Sequence, residues 1–462
     1  MKVEKFPLLK FKGRTLQWDL RQKVTEPLIV LRKDLSSDVI RELKSLSKDF
    51  LEEGKDFLSW GSFVSEFYGH PSQKLKVLAV CGTNGKTTTA ALLRFLLVAN
   101  GKKVLELGTL GAQLWDAFNN SSPKWSEVTG FTSPEAHTLQ ALMHQAVEEG
   151  VDAFVMEVTS HSLALGRISG VDFDGAVFLN FSQDHLDFHK TLEEYKKVKK
   201  SFFLNFLPAQ KKNALVVLNS NDAVGKELTQ ELKSPFLSLE RNKNYFIDDS
   251  SMELILQYEG NAFQLPVVGA FQAENILAAC YLANQLTKCG VSKHLKDLQK
   301  FPGVPGRMEI LRLKFKNESR KMIVDFAHTP DALEKNISTL KKSMKRGRLW
   351  VLFGCGGDRD PFKRPQMGEI AAQLADFVVV TSDNARSEDP DKIIDQIVKP
   401  LIEQKRSFVR ITDRKNAMKY CLENMKEEDV CLVAGRGHEE FQLIGTQKIP
   451  FKDSEVLKSL CC

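Results

Sequence analysis

The chain has 462 residues, 42% of them hydrophobic, and a formal net charge of +6. That length exceeds one ordinary core and calls for two to four domains of about 100–200 residues each. The charge is too mild and too dispersed for a nucleic-acid reader, and its densest clusters, Lys196-Lys197 with Lys199-Lys200 and Lys341-Lys342 with Lys345-Arg346, read as solvated helix faces.

Residues 1–72 hold short strand candidates and a helix around Ser36–Leu51, and they end in the turn-like Gly69-His70-Pro71-Ser72. The stretch Met1 to Arg14 lacks the apolar core of a signal peptide, about 7–15 residues long, and nowhere does an uninterrupted apolar run approach about 18 residues. A soluble, cytoplasmic chain without a membrane anchor is expected. Eight cysteines with no C-x-x-C pair suggest reduced, mostly buried thiols; the pair Cys461-Cys462 reads as an untethered tail more readily than as a lipidation or metal site.

Residues 73–306 alternate apolar strands with amphipathic helices. Strands are predicted at Val77–Val80, Val104–Leu107, Ala153–Val158, Ala176–Asn180 and Ala214–Leu218, which means βαβ units and a mostly parallel sheet. Between the first strand and the helical run Ala90–Leu97 lies Gly82-Thr83-Asn84-Gly85-Lys86-Thr87-Thr88. A glycine-rich turn there aims backbone N–H groups into one concavity at a helix N-terminus, which holds phosphate. Lys86 would reach the β- and γ-phosphates of a nucleotide, and the Thr87 hydroxyl would ligate Mg²⁺. Glu157 ends a strand, and Asn180 to Asp187 follow another, delivering His185; carboxyl ends of parallel strands are where ligands bind in such sheets. A histidine ligand to Mg²⁺ is unusual and implies a tuned second ion. Lys199, in a helix over Leu192–Phe203, reads on its own as a surface lysine.

The run Phe301-Pro302-Gly303-Val304-Pro305-Gly306 is a linker by composition. A second α/β alternation fills 307–462, with strands at Lys321–Phe326, Leu349–Phe353, Phe377–Thr381, Val409–Ile411 and Val430–Ala434. Four of these strand ends are polar: Asp325 to Asp331 with His328, Gly354 to Asp360 with Arg359, Asp383-Asn384-Ala385-Arg386, and Gly435 to Glu439. Together they predict a binding rim, and its arginines suit carboxylate or phosphate in bidentate geometry.

Gly82–Thr88, Glu157–His161, Asn180–His185, Val267-Val268-Gly269 with Asn275, Pro305–Glu309, Asp325–Asp331, Gly354–Arg364 and Gly435–Glu439 resemble, in order, the Mur ligases, the MurE type above all. The resemblance spans about residues 70 to 455. It implies an α/β protein of three domains: a short UDP-substrate-binding domain (1–72), a central ATPase with the phosphate loop (73–306) and a Rossmann-like domain for the added amino acid (307–462). It implies ATP-dependent ligation of an amino acid, meso-diaminopimelate, to the D-Glu γ-carboxylate of UDP-N-acetylmuramoyl-L-Ala-D-Glu through an acyl phosphate, by a monomer. By position, Thr87 and Glu157 would hold one Mg²⁺, and His185 with a carbamylated Lys199 would form part of a second site. Asn275, Arg307, Asp325 and His328 would contact the nucleotide. Thr132, Ser133, Thr159 and Arg167 would hold the muramoyl dipeptide. Arg359, Asp383, Asn384, Arg386, Gly435 and Glu439 would form the amino-acid pocket.

Three positions depart from that pattern. Ala385 replaces a proline, Leu20 of Asp19-Leu20-Arg21 replaces a serine, and Leu165 replaces a polar residue of the substrate site. An L-lysine-adding enzyme, a folylpolyglutamate- or cyanophycin-type ligase, and a nucleotide-binding protein without catalysis are the competing readings. Retention of Lys86, Thr87, Glu157, His185 and Lys199 argues against the last.

Overall fold

A computed structural model describes residues 59–210, 214–248 and 253–461, with the backbone of four short strands before them. Those strands, β1 (Lys10–Phe11), β2 (Arg14–Gln17), β3 (Leu28–Leu31) and β4 (Phe50–Glu52), pair in that order. The helix expected around Ser36–Leu51 falls mostly outside the described residues, and its last two positions lie in β4. Asp19-Leu20-Arg21 also lies outside them.

The chain divides into two compact units, residues 1–244 with 274–298 and residues 245–273 with 299–462. The first is built on β5 (Lys76–Cys81), β6 (Val104–Gly108), β7 (Gly111–Trp115), β8 (Trp125–Glu127), β9 (Ala153–Val158), β10 (Gly175–Phe178), β11 (Leu215–Asn219) and β12 (Phe236–Leu239). Their order is β12-β11-β10-β5-β9-β6-β7-β8. The six from β12 to β6 are parallel, and β7 and β8 extend that edge antiparallel. Strands β5 and β9 are apolar runs buried on both faces, as helices on both sides of a parallel sheet demand. The chain places β6 and β9 on one side of β5 and β10 to β12 on the other. The strand order thus reverses about β5, and the crevice at such a switch point is where α/β sheets bind ligands.

The helix Leu192–Ser201 runs directly into a π-helical turn, Phe202–Phe206. Phe202 and Phe203 enter the core beside Phe173 and Phe178. This helix also corrects the reading of its basic cluster as a solvated face. Lys199 is 1% exposed, and Lys196 and Lys200 pair with Glu193, Glu227 and Glu231.

The second unit carries a small antiparallel sheet of β13 (Phe246–Asp248), β14 (Leu254–Tyr258) and β15 (Asn261–Leu265). Its main sheet uses β16 (Glu309–Phe315), β17 (Glu318–Asp325), β18 (Leu349–Phe353), β19 (Phe377–Val380), β20 (Phe408–Arg410) and β21 (Val430–Ala434). The order β16-β17-β21-β18-β19-β20 is parallel except for β16, and the return of β21 between β17 and β18 gives a second switch point. A hairpin of β22 (Phe441–Ile444) and β23 (Gln447–Pro450) follows, and the helix Asp453–Ser459 closes the unit.

Candidate active site

In the first unit the site grows from the end of β5. Gly85, at φ 85°, caps the helix Lys86–Ala99. A Cβ there would meet the Asn275 amide at 2.6 Å, so the bare glycine lets Asn275 lie against the loop. The loop is held from β10: Thr83 N donates to Asn180 O at 3.0 Å, Asn84 N donates to Asn180 Oδ1 at 2.8 Å, and the Ser182 amide donates to Thr83 Oγ1. Lys86 Nζ donates to the carbonyls of Gly82 and Thr83 at 3.0 and 2.8 Å, folded along the loop it serves. Thr88 follows in the first turn, buried.

Lys199 approaches the same loop from below, its Nζ donating to Gly82 O at 2.7 Å. Burial pushes its amine down to about 8. His185 caps a short helix in left-handed conformation, φ 52°, with its ring 4.8 Å from that of His161 and 6.0 Å from that of Tyr195. Desolvation, ahead of its neighbours' charges, holds its imidazole below the ordinary value.

Thr109, which the sequence reading passed over, joins the rest. Its amide donates to Glu157 Oε1 at 2.8 Å and its hydroxyl to Glu157 Oε2 at 3.3 Å. The same hydroxyl receives the Thr87 hydroxyl at 3.3 Å and lies 3.3 Å from Thr132 Oγ1. Gly108 beside it has no room for a side chain, since a Cβ would sit 2.2 Å from Glu157 Oε1. The signal was available: Gly108-Thr109 directly follows a predicted strand, where the other polar strand ends were found. Beyond Thr132, Ser133 Oγ donates to Glu157 O at 2.9 Å and lies 3.3 Å from Thr159 Oγ1. Arg167 donates to Ser133 O and pairs with Glu135 at 2.8 Å. Leu165 is exposed nearby in sequence.

Thr87 and Glu157 therefore present hard oxygen atoms around one shared neighbour. Mg²⁺ takes oxygen ligands, keeps several waters and needs only one or two protein carboxylates, so this donor set fits it. Lys199 as an ammonium does not fit, because the protonated nitrogen that donates to Gly82 O offers a cation no lone pair and repels it.

In the second unit the polar strand ends gather at the carboxyl edge of the main sheet. Asp325 is occupied internally, accepting from Met308 N, Ala327 N and Asn336 Nδ2 at 2.7–2.8 Å. His328 bonds the Phe326 carbonyl through Nδ1 at 2.8 Å, which turns Nε2 outward. The Arg307 guanidinium lies 4.9 Å from the Phe326 ring. The turn after β18 packs backbone on backbone against the Asp383–Arg386 loop: a Cβ on Gly357 would meet Ala385 O at 2.0 Å. A Cβ on Gly356 would lie 2.9 Å from Arg386 Nη1 and 3.8 Å from Arg359 Cγ, so the two arginines flank that glycine. Asn384 Nδ2 donates to Glu439 Oε2 at 2.8 Å. Gly435, φ 112°, admits Asp383 Oδ2 within 2.6 Å of where a Cβ would stand. Burial raises the Glu439 carboxyl above its ordinary value.

The Asp383–Arg386 loop is also stapled from the hairpin. Gln442 Nε2 donates to Ser382 Oγ and Asp383 O, Leu443 N to Asn384 Oδ1, Arg386 N to Leu443 O, and Gly445 N to Arg386 O. Arg386 sits at φ 52°, a strained conformation for a side-chain-bearing residue, which this lattice of bonds maintains.

A glycine-rich loop between strand and helix on one parallel sheet, joined in the chain to a second α/β unit with a cationic and amide-lined rim, has the form of a nucleotide-binding enzyme. Residues 80–283 match the Mur ligase middle domain, and residues 306–437 match the Mur ligase glutamate ligase domain. A UDP-N-acetylmuramoyl-L-alanyl-D-glutamate–2,6-diaminopimelate ligase of Prochlorococcus marinus subsp. pastoris is 38% identical over 434 residues, 89% of this chain and 81% of that protein. The Bacillus cereus protein of the same name is 36% identical over 87% of this chain and 81% of its own length. A solved structure of a ligase of that name aligns with TM-score 0.66 at 29% identity, over 96% of this chain and 94% of that one. A Mycobacterium tuberculosis folylpolyglutamate synthase, with TM-score 0.60 at 16% identity over 81% of this chain and 91% of its own, shares the fold. The chain belongs to the Mur ligase family of ATP-dependent ligases.

Proposed function

We propose that this protein joins meso-2,6-diaminopimelate to the D-Glu γ-carboxylate of UDP-N-acetylmuramoyl-L-Ala-D-Glu in peptidoglycan assembly, as a cytoplasmic monomer. Among the described residues no helix is long and apolar enough to cross a membrane. In this reading residues 1–72 take the UDP end of the acceptor, 73–306 the ATP and 307–462 the amino acid. The acceptor carboxylate attacks the γ-phosphorus of ATP, ADP leaves, and an acyl phosphate forms. The amine of the incoming amino acid then adds to the acyl carbon, loses a proton, and phosphate departs.

Two anions must meet in the first step, so positive charge at the phosphates is the main demand. Lys86 supplies it by turning from the loop carbonyls to the phosphates, and Thr87 with Glu157 would hold Mg²⁺, which neutralises further charge there. Thr132, Ser133, Thr159 and Arg167 orient the dipeptide; Asn275, Arg307, Asp325 and His328 are assigned to the nucleotide. For Lys199 a carbamate is proposed: a neutral amine adds to CO₂, forms an N–C bond and releases a proton, leaving an oxygen donor beside His185. Its burial favours the neutral amine this requires.

The observation that carries the choice of amino acid is the pocket of Arg386, Asn384 and Glu439. Diaminopimelate and L-lysine differ by a distal carboxylate, which a guanidinium and an amide N–H reward and which lysine lacks. Glu439, within the same pocket, suits an ammonium. Arg386→Ala should raise KM for diaminopimelate roughly tenfold or more and narrow its advantage over L-lysine. An unchanged ratio of the two kcat/KM values would remove Arg386 from the pocket.

A further inference from the structure

The pocket amide of Asn384 is held from behind by a buried charge network that the reaction itself does not call for. Asp453, fully buried, accepts from Arg414 Nε at 2.9 Å and Nη2 at 2.7 Å, and its Oδ1 lies 3.8 Å from Arg436 Nε. Arg436 is buried as well and reaches three ways. Nη2 donates to Phe441 O at 2.7 Å and Phe451 O at 3.1 Å, and Nη1 donates to Asn384 Oδ1 at 2.9 Å. Leu443 N donates to the same oxygen at 2.8 Å.

Two donors on Oδ1 fix which end of the amide points where. The NH₂ group must face the other way, and one of its two hydrogens goes to Glu439 Oε2 at 2.8 Å. One N–H then remains, and it can only donate. An amide locked in that sense rewards an acceptor such as a carboxylate and gives nothing to an ammonium. A freely rotating amide would offer its oxygen to an ammonium and serve either substrate.

We infer that Arg436 is a positioning residue for amino-acid selection: it fixes the Asn384 amide with its NH₂ group turned away from the guanidinium, and Arg436 is itself set by the carbonyls of Phe441 and Phe451 at either end of the hairpin, with the charge of Asp453 3.8 Å from its Nε. This rests on the assignment of the Asn384 pocket to the amino acid. Its chemistry is general: a guanidinium that spans three acceptors orients the third by geometry, which a lysine ammonium, a single point with a flexible stem, does not do.

The test is a double-mutant cycle on the full-length enzyme, with KM for diaminopimelate, L-lysine and ATP measured for Asn384→Ala, Arg436→Lys and both together. Arg436→Lys keeps the charge beside Asp453. It should raise KM for diaminopimelate roughly tenfold, narrow the gap to L-lysine, and leave KM for ATP within about twofold. The double variant should be no worse than Asn384→Ala alone, because lysine keeps the positive charge that Arg436 Nη1 places 3.6 Å from Glu439 Oε2, and what Arg436→Lys removes is the hold on that amide. Multiplying effects, or KM for ATP rising in parallel, would overturn the inference and leave the pocket assignment standing. An Asn384→Ala enzyme with unchanged KM for diaminopimelate would overturn both. If Arg436→Lys does not fold, a neutron structure of the wild-type protein decides. Deuterons on the Asn384 atom facing Glu439 support the inference, and deuterons on the atom facing Arg436 contradict it.

Discussion

Lys199 shows how far a residue's surroundings decide its chemistry. In sequence it is one of four lysines in a five-residue stretch, and nothing in its spacing separates it from its neighbours. In the fold it is enclosed beside Tyr195 and the Gly82–Thr88 loop, 5.0 Å from the tyrosine ring, and this enclosure favours the neutral amine that the proposed carbamate needs. Activity should therefore rise when bicarbonate is restored to a CO₂-depleted preparation, and Lys199→Ala should regain part of its activity with formate or acetate. A crystal structure of the active enzyme at neutral pH with a free Lys199 amine would contradict the carbamate. His294 provides a contrast, since it is fully buried and carries no assigned role. Its Nε2 meets Thr287 Oγ1 at 2.9 Å, and burial pushes it down to about 4. The unfolded chain would take up a proton near the ordinary value of about 6.5, which the folded chain refuses until about 4. Stability is thus complete above pH 6.5 and falls as pH drops from there toward 4. His294→Gln should flatten that fall, by on the order of 3 kcal/mol at pH 4. Equal acid slopes in denaturant titrations of the two proteins would contradict the assignment.

At the scale of elements, the parallel strands were readable because sheets covered on both faces need short unbroken apolar runs. Ala153–Val158, Leu349–Phe353 and Val430–Ala434 were placed from such runs and are strands over the same residues. The hairpin was not readable that way. Gln447–Pro450 is exposed throughout and Phe441–Ile444 is mixed, so neither strand carries an apolar pattern. Its one local signal is Gly445, φ 58°, opening a two-residue turn. The hairpin bears on the Asp383–Arg386 loop, where Ala385 stands in place of a proline that would stiffen the backbone. The hairpin's hydrogen bonds hold the loop without it, and Ala385 is buried with its amide outside those bonds. Ala385→Pro should accordingly change stability by no more than about 1 kcal/mol, through the entropy of the unfolded chain, and leave the preference for diaminopimelate over L-lysine within about twofold. A preference that rises tenfold would mean that the loop is loose in the native enzyme.

For the whole molecule, two sheets with reversed strand order present their carboxyl edges, and each edge gathers residues that lie far apart in sequence. Glu157, Thr109 and Thr132 meet across 48 positions of chain, and Asn384 meets Glu439 across 55. The sequence contained the strand ends and their polar residues, but not their pairing, because pairing depends on strand order. The order of blocks along the chain carried the family, and the family models match in that order. In the proposed function this ligase spends ATP to attach diaminopimelate to the muramoyl dipeptide. The direct measurement offers purified enzyme ATP, Mg²⁺, UDP-N-acetylmuramoyl-L-Ala-D-Glu and equal concentrations of meso-diaminopimelate and L-lysine, with products weighed by mass spectrometry. The account predicts the diaminopimelate tripeptide in large excess, with one phosphate released per product and none without the dipeptide. An excess of the lysine product, or no ligation of either amino acid by folded enzyme, would contradict it.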